Sequence, residues 1–224
     1  MSQIANALAA IESTLPQGVS LVAVSKFHPA EAIAEAYDAG QRAFGESRVQ
    51  ELLDKASRLP ADIRWHFIGH LQTNKVRQLI GARCTALIES VDSLRLLRLI
   101  DAESERAGIV SRVLVQAHVA QEETKFGFLP DELLEYFATG GYRDLKATHI
   151  CGLMGMASNT DDLGRVKADF EALADLKAHI VASAPDLIGF DILSMGMSHD
   201  YPLAIEAGAN LVRVGTAIFG DRTY

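Results

Sequence analysis

Apolar residues along the chain fall into short runs of strand length, each followed by a longer segment in which they recur every three or four positions. Runs of this kind predict strands, and the segments between them predict amphipathic helices. The predicted strands are Leu21–Ser25, Arg42–Phe44, Arg64–Ile68, Ala86–Ser90, Arg112–His118, Lys146–Cys151, Phe190–Ser194 and Leu211–Val214. The predicted helices are Gln3–Thr14, ahead of the first strand, then Pro29–Ala39, Val49–Arg58, Asn74–Ile80, Ser93–Ala107, Pro130–Ala138, Thr160–Ala182 and Asp200–Ala207. Strict alternation is the signature of parallel βαβ units, and right-handed crossovers close such units into a barrel. An open doubly wound sheet would normally carry a glycine-rich turn after its first strand, and SKFHPAE has none. The expectation is therefore an α/β fold, a single (β/α)8 TIM-type barrel with an extra N-terminal helix, forming one domain over residues 1–224.

Punctuation agrees with the pattern. AYDAG and AIEAG each end a helix on glycine just before a strand begins, as helix C-termini commonly do. No linker, low-complexity tract or charge block interrupts the chain. The shared helix–Gly–strand shape is either an old internal repeat or the ordinary stop that such junctions need. The stretches Ala120–Thr124 and Ser158–Asp162 read as connections from strand to helix.

Composition narrows the class of function. The chain has 224 residues, 49% hydrophobic and 22% charged, with a net charge of −8 and basic residues scattered along it. That balance argues against nucleic acid and anionic membranes as partners. No run is long enough to span a bilayer, and the start lacks the basic-then-apolar plan of a secretory signal. The two cysteines, Cys84 and Cys151, suggest packing in a reducing cytoplasm rather than a disulfide framework.

In a barrel of this type the chemistry sits where the strands end. Lys26 follows the apolar run Leu-Val-Ala-Val and one serine, at the rim of the mouth. Partial burial there would favour the neutral amine that captures a carbonyl, although a lysine at a strand end can also simply reach for solvent. After the seventh strand comes Ser194-Met195-Gly196-Met197-Ser198, then His199 and Asp200 opening a helix. Small residues, a hydroxyl and a helix N-terminus suit an anion, although Ser198 could serve only as a cap. After the eighth strand, Gly215 and Thr216 repeat the arrangement. Two such loops together make the usual phosphate site of a barrel. Arg213, by alternation with Val212 and Val214, points into the mouth, where it could face a ring nitrogen or pair with a carboxylate. Glu46, Arg48, Asn74 and Lys125 follow other strands and could line the mouth, and Met154 after the sixth strand could pack on a ligand ring. His66 and His70 fall across a strand and its turn, a poor arrangement for a metal, and none is expected. His118 and His149 read as core histidines.

The segments AVSKF, FGESRVQEL, WHFIGHLQTNK, KFGF, GLMGM, LSMGMSHDYPLAI and VRVGTAIFG resemble the YggS/PROSC family of pyridoxal phosphate homeostasis proteins, from about Leu21 to Gly220. The resemblance implies a barrel related to the N-terminal domain of alanine racemase, with pyridoxal phosphate (PLP) held as a Schiff base on Lys26. It also implies phosphate contacts from Ser198, Gly215 and Thr216, helped by backbone at Gly196, with Arg213 at the ring nitrogen and Met154 beside the cofactor. Ser47 departs from the asparagine typical of the family, which puts one cofactor contact in doubt. His70 stands where many members carry proline. The implied role is carriage of the cofactor in the cytoplasm, with PLP-dependent enzymes as recipients and without robust catalysis, in a monomer or weak homodimer. Two alternatives stay open: a weak PLP-dependent amino-acid racemase, and a barrel binding another phosphate metabolite without a Schiff base. Racemisation needs a second base opposite Lys26. Alanine racemases take theirs from a second domain that this sequence lacks. Tyr142, Tyr201 and Tyr224 are the conceivable substitutes.

Overall fold

The strands β1 (Ser20–Val24), β2 (Ala43–Glu46), β3 (Arg64–Phe67), β4 (Thr85–Val91), β5 (Ser111–Gln116), β6 (Thr148–Met154), β7 (Ile192–Ser194) and β8 (Leu211–Val214) form a closed parallel barrel in sequence order. This is a computed structural model, and it describes residues 2–122 and 126–221. The helices are α1 (Gln3–Glu12), α2 (Ala30–Asp38), α3 (Val49–Arg58), α4 (Thr73–Gly81), α5 (Leu94–Ala107), α6 (Pro130–Ala138), α7 (Leu163–Ser183), α8 (Tyr201–Glu206) and α9 (Thr216–Phe219), with a 3-10 turn at Gly141–Asp144. The expected (β/α)8 architecture with an added N-terminal helix is the one observed. No described helix is long and apolar enough to cross a membrane.

Alternation along each strand sorts side chains into two layers. Val22, Ala43, Leu87, Leu114, Cys151, Met154 and Leu211 fill the barrel interior. Their neighbours point outward against the helices, where Phe44, Phe67, Phe137 and Phe170 are fully buried. Each such side chain contributes about 2–3 kcal/mol of transfer free energy. Local signals set the helix ends. Ser93 accepts the Leu96 N–H at 3.3 Å to start α5, and Gly108 ends that helix with a φ of 65°.

Several boundaries differ from the sequence reading. Strand β6 runs on to Met154, so this methionine is the last strand residue rather than one after it. Strand β2 likewise includes Glu46. Helix α7 begins at Leu163, because Asp162 caps it by accepting the Gly164 and Arg165 N–H groups. Helix α1 packs against α2 and α9. Thr14 Oγ1 and Tyr201 Oη lie 3.2 Å apart beside it.

Candidate functional site

Lys26 continues the inward side of β1, after Val22 in the barrel interior and Val24 in the wall of the mouth pocket. It is half-buried. The backbone on either side of it is clamped by one helix. Lys55 Nζ on α3 donates to Ser25 O at 2.9 Å, while Phe27 N–H donates to Glu51 Oε1 at 2.7 Å. Glu51 and Lys55 also pair with each other at 2.7 Å. Phe27 has a φ of 69°, a left-handed conformation that a phenylalanine adopts only when its surroundings hold it there. Beneath the clamp, Glu46 Oε1 receives Ser25 Oγ at 2.6 Å and Lys55 Nζ at 2.7 Å, and Oε2 has no hydrogen-bond partner among the described residues. Burial pushes the Glu46 carboxyl up to about 7, against the charge and hydrogen bond of Lys55 and the hydroxyl of Ser25.

Across the mouth, Ser198 Oγ accepts the Gly215 N–H at 3.2 Å, tying the loop after β7 to the loop after β8. Arg213 N–H donates to Gly196 O at 3.0 Å. Gly196 has a φ of 90°, and a Cβ there would lie 2.6 Å from Ala204 Cβ and 2.9 Å from Tyr201 Cα, so only glycine lets the loop turn this close to α8. Thr216 starts α9, whose first N–H groups have no carbonyl within the helix to receive them.

Lys26, Met154, Ser198, Arg213, Gly215 and Thr216, the six residues that the resemblance implies for the cofactor, line one cavity of about 260 Å³. Val24, Ile68, Met156, Met197 and His199 complete its wall. A primary amine, a buried guanidinium, an apolar flank and a turn of small residues thus face one space. That donor set fits a compact ring carrying a carbonyl and a phosphate. A larger groove of about 630 Å³ lies on the outer surface between α5 and α6. Asp92, Glu132 and Glu135 line it, and their charges disfavour an anion.

The other sequence candidates are dispersed. Glu46 faces α3 rather than the mouth, where Lys55 holds it. Arg48 is exposed, its guanidinium 4.8 Å from the Phe27 ring centroid. Asn74 is exposed in the first turn of α4. Ser47 is half-buried, and the described cavity wall does not include it. His66 points into the barrel to Glu89, whereas His70 pairs with Asp92 at 2.8 Å and stacks on Phe126. Among the described residues no group of three or more His, Cys, Asp or Glu could hold a metal. His118 is half-buried, its Nε2 without a hydrogen-bond partner among the described residues, and His149, at the start of β6, is exposed rather than in the core, its Nε2 2.9 Å from Ile188 O. Cys151 is buried and Cys84 half-buried, both as free thiols. Tyr142 bonds Asp186, and Tyr201 meets Thr14. Lys125 and Tyr224 lie outside the described residues.

The sequence reading missed Glu51 and Lys55, whose contacts clamp the backbone around Lys26. Glu51 and Lys55 carry the i,i+4 spacing of an ordinary solvated helix pair, so nothing in the sequence marks them as a clamp.

A closed parallel barrel with its amine and its anion-type loops gathered at one mouth is a ligand-binding barrel suited to small phosphorylated compounds. The chain belongs to the pyridoxal phosphate homeostasis protein family, and the broader family described as Alanine racemase, N-terminal domain, matches it over residues 1–223. The pyridoxal phosphate homeostasis protein of Schizosaccharomyces pombe is 40% identical, the match covering 99% of this chain and 94% of that protein. The human protein of the same name is 39% identical, over 91% of this chain and 77% of its own. The structure of PipY from Synechococcus elongatus PCC7942 with PLP bound is similar at a TM-score of 0.88 and 39% identity, covering 97% of this chain and 100% of that one. An alanine racemase from Streptomyces lavendulae shares the fold at a TM-score of 0.78 and 20% identity, over 97% of this chain and 56% of that one.

Proposed function

We propose that this chain is one PLP-binding domain over residues 1–224. In this reading it holds the cofactor at the barrel mouth by a Schiff base on Lys26 and carries it within the cytoplasm, without robust catalysis. The observation that carries the reading is the convergence of Lys26, Arg213 and the Ser198–Gly215–Thr216 turn on one cavity. When bound, PLP supplies an aldehyde that amines capture reversibly and a ring that withdraws electrons. Lys26 is the amine positioned for capture, and the clamp on its flanking peptides fixes where its side chain starts. Ser198, Gly215 and the first turn of α9 would receive the phosphate, and Met154 would lie against the ring. Arg213, a permanent cation, would donate to the ring nitrogen and keep it unprotonated, which weakens the electron sink that amino-acid chemistry needs. A tether that forms and breaks at an open mouth suits delivery to PLP-dependent enzymes.

A second reading, weak amino-acid racemisation, is favoured by one observation: His199 shares the cavity wall with Lys26 and is exposed, so it could exchange a proton there. Tyr142 and Tyr201, the described tyrosines weighed for this role, do not line the cavity. One experiment separates the readings. The absorbance spectrum of the purified protein with PLP is recorded before and after borohydride reduction, the modified lysine is mapped, and single L-amino acids are then followed by chiral chromatography. The carrier reading expects a visible band, reduction onto Lys26 and turnover below about 1 per second. A colourless protein after PLP addition would mean a barrel for some other phosphate compound, and turnover at ordinary enzyme rates would reject the carrier.

A further inference from the structure

Beneath the mouth cavity, Arg213 heads a line of buried polar groups whose other members the binding reading leaves without a role. Arg213 Nη1 donates to Ser194 Oγ at 2.5 Å, and Ser194 Oγ donates to Glu89 Oε2 at 2.5 Å. Glu89 Oε1 lies 2.6 Å from His66 Nδ1. Strands β8, β7, β4 and β3 each contribute one member. The Arg213 guanidinium is 3.7 Å from the Glu89 carboxylate, beyond direct hydrogen bonding, so the hydroxyl is the link between the two charges. Glu89 and Ser194 are fully buried, and Arg213 and His66 nearly so.

A buried guanidinium needs both a counter-charge and hydrogen-bond acceptors. Burial works to raise the Glu89 carboxyl, yet the hydrogen bond and charge of His66, the charge of Arg213 and the Ser194 hydroxyl together hold it below the usual range. Glu89 is therefore a carboxylate, and it directs the Ser194 proton toward itself. The Ser194 oxygen is left to accept from Arg213. Arg213 Nη2 is fixed by a second acceptor, Gly155 O at 3.0 Å. With both terminal nitrogens anchored, the plane of the guanidinium is set before any ligand arrives. At the other end His66 borders a cavity at the closed face of the barrel, where Arg64, Arg112 and Asp191 are the other charged groups.

Resting on the PLP reading above, we propose that Ser194 and Glu89, backed by His66, are positioning residues that hold the Arg213 guanidinium at a fixed tilt against the ring nitrogen of the cofactor. They touch the guanidinium or each other, and their effect on the ligand passes through Arg213.

The test is an absorbance titration of the full chain with PLP and with the analogue in which the ring nitrogen is replaced by C–H. In the wild type, binding of PLP is the control, and its failure would remove the PLP reading and this inference with it. Given wild-type binding, Ser194→Ala and Glu89→Gln are expected to weaken PLP by about tenfold or more, while the analogue changes by less than about threefold. Ser194→Thr, which restores the hydroxyl, should recover PLP binding. Equal weakening of both ligands would show a merely structural role and overturn the proposal, as would PLP affinity unchanged in both variants. If Glu89→Gln fails to fold, Ser194→Ala decides the matter alone, because it keeps both charges.

Discussion

Glu51 accepts the backbone N–H of Phe27 at 2.7 Å, and this single bond restrains the peptide that follows Lys26. The same carboxylate holds Lys55, whose ammonium reaches the peptide that precedes Lys26. Glu51→Ala should therefore release the left-handed turn at Phe27, a conformation whose strain is on the order of 1–3 kcal/mol. PLP affinity is expected to fall by about tenfold, since hydrogen bonds to charged groups contribute about 1.5–3 kcal/mol. Glu51→Gln keeps an acceptor and should lose less. Absorbance titration of the two variants checks this, and equal affinities for Ala and wild type would show that the clamp does not aim Lys26.

Replacing Lys26 with Ala should abolish the visible band of the bound cofactor while leaving weak binding anchored by the phosphate. The measurement is a spectrum at saturating PLP beside equilibrium dialysis. An unchanged band would point to another lysine, with Lys125 the next to replace.

Gly196→Ala tests the loop that faces α8. An added Cβ meets Ala204 and Tyr201 too closely, and the positive φ adds strain. Overpacking costs about 1–3 kcal/mol, and the loop carries the carbonyl that accepts the Arg213 N–H. Thermal unfolding should begin several degrees lower, and PLP affinity should fall with it. A variant as stable as wild type would show that the loop relaxes freely.

Glu46 gives the chain a pH signature. Its carboxyl is raised to about 7, so between the unfolded value and that point the folded state holds more protons than the unfolded one. Stability contributed at this site therefore falls as pH rises across roughly 4.5 to 7. The wild type should lose up to about 3 kcal/mol relative to Glu46→Gln over that window. Urea unfolding of both proteins at pH 5, 6, 7 and 8 measures the difference, and a constant gap would mean that Lys55 keeps Glu46 ionised throughout.

What could be read in advance was whatever depends on period and position. Strand alternation turned Arg213 into the mouth, the end of the first apolar run put Lys26 at its rim, and the rule that barrels work at strand ends gathered Ser198, Gly215 and Thr216 beside them. Strand limits were less legible, because Met154 and Glu46 extend β6 and β2 through ladder pairing that the apolar runs do not mark. Least legible were links made by register and depth. Glu89 sits in the stretch of β4 where pairing to β5 shifts between Ile88 and Val91, and no local pattern tells that its carboxylate meets Ser194 from far along the chain.

The barrel closes where β1 pairs with β8, with Val22 opposite Arg213 and Ala23 opposite Val214. The amine and the anion turn therefore lie on the two sides of the seam that joins the earliest strand to the latest. This seam can form only after β8 has been made, so the binding site exists only once the ring is complete. A ligand gripping Lys26 on one side and Gly215 and Thr216 on the other would act as a staple across that seam, adding its binding free energy to ring closure.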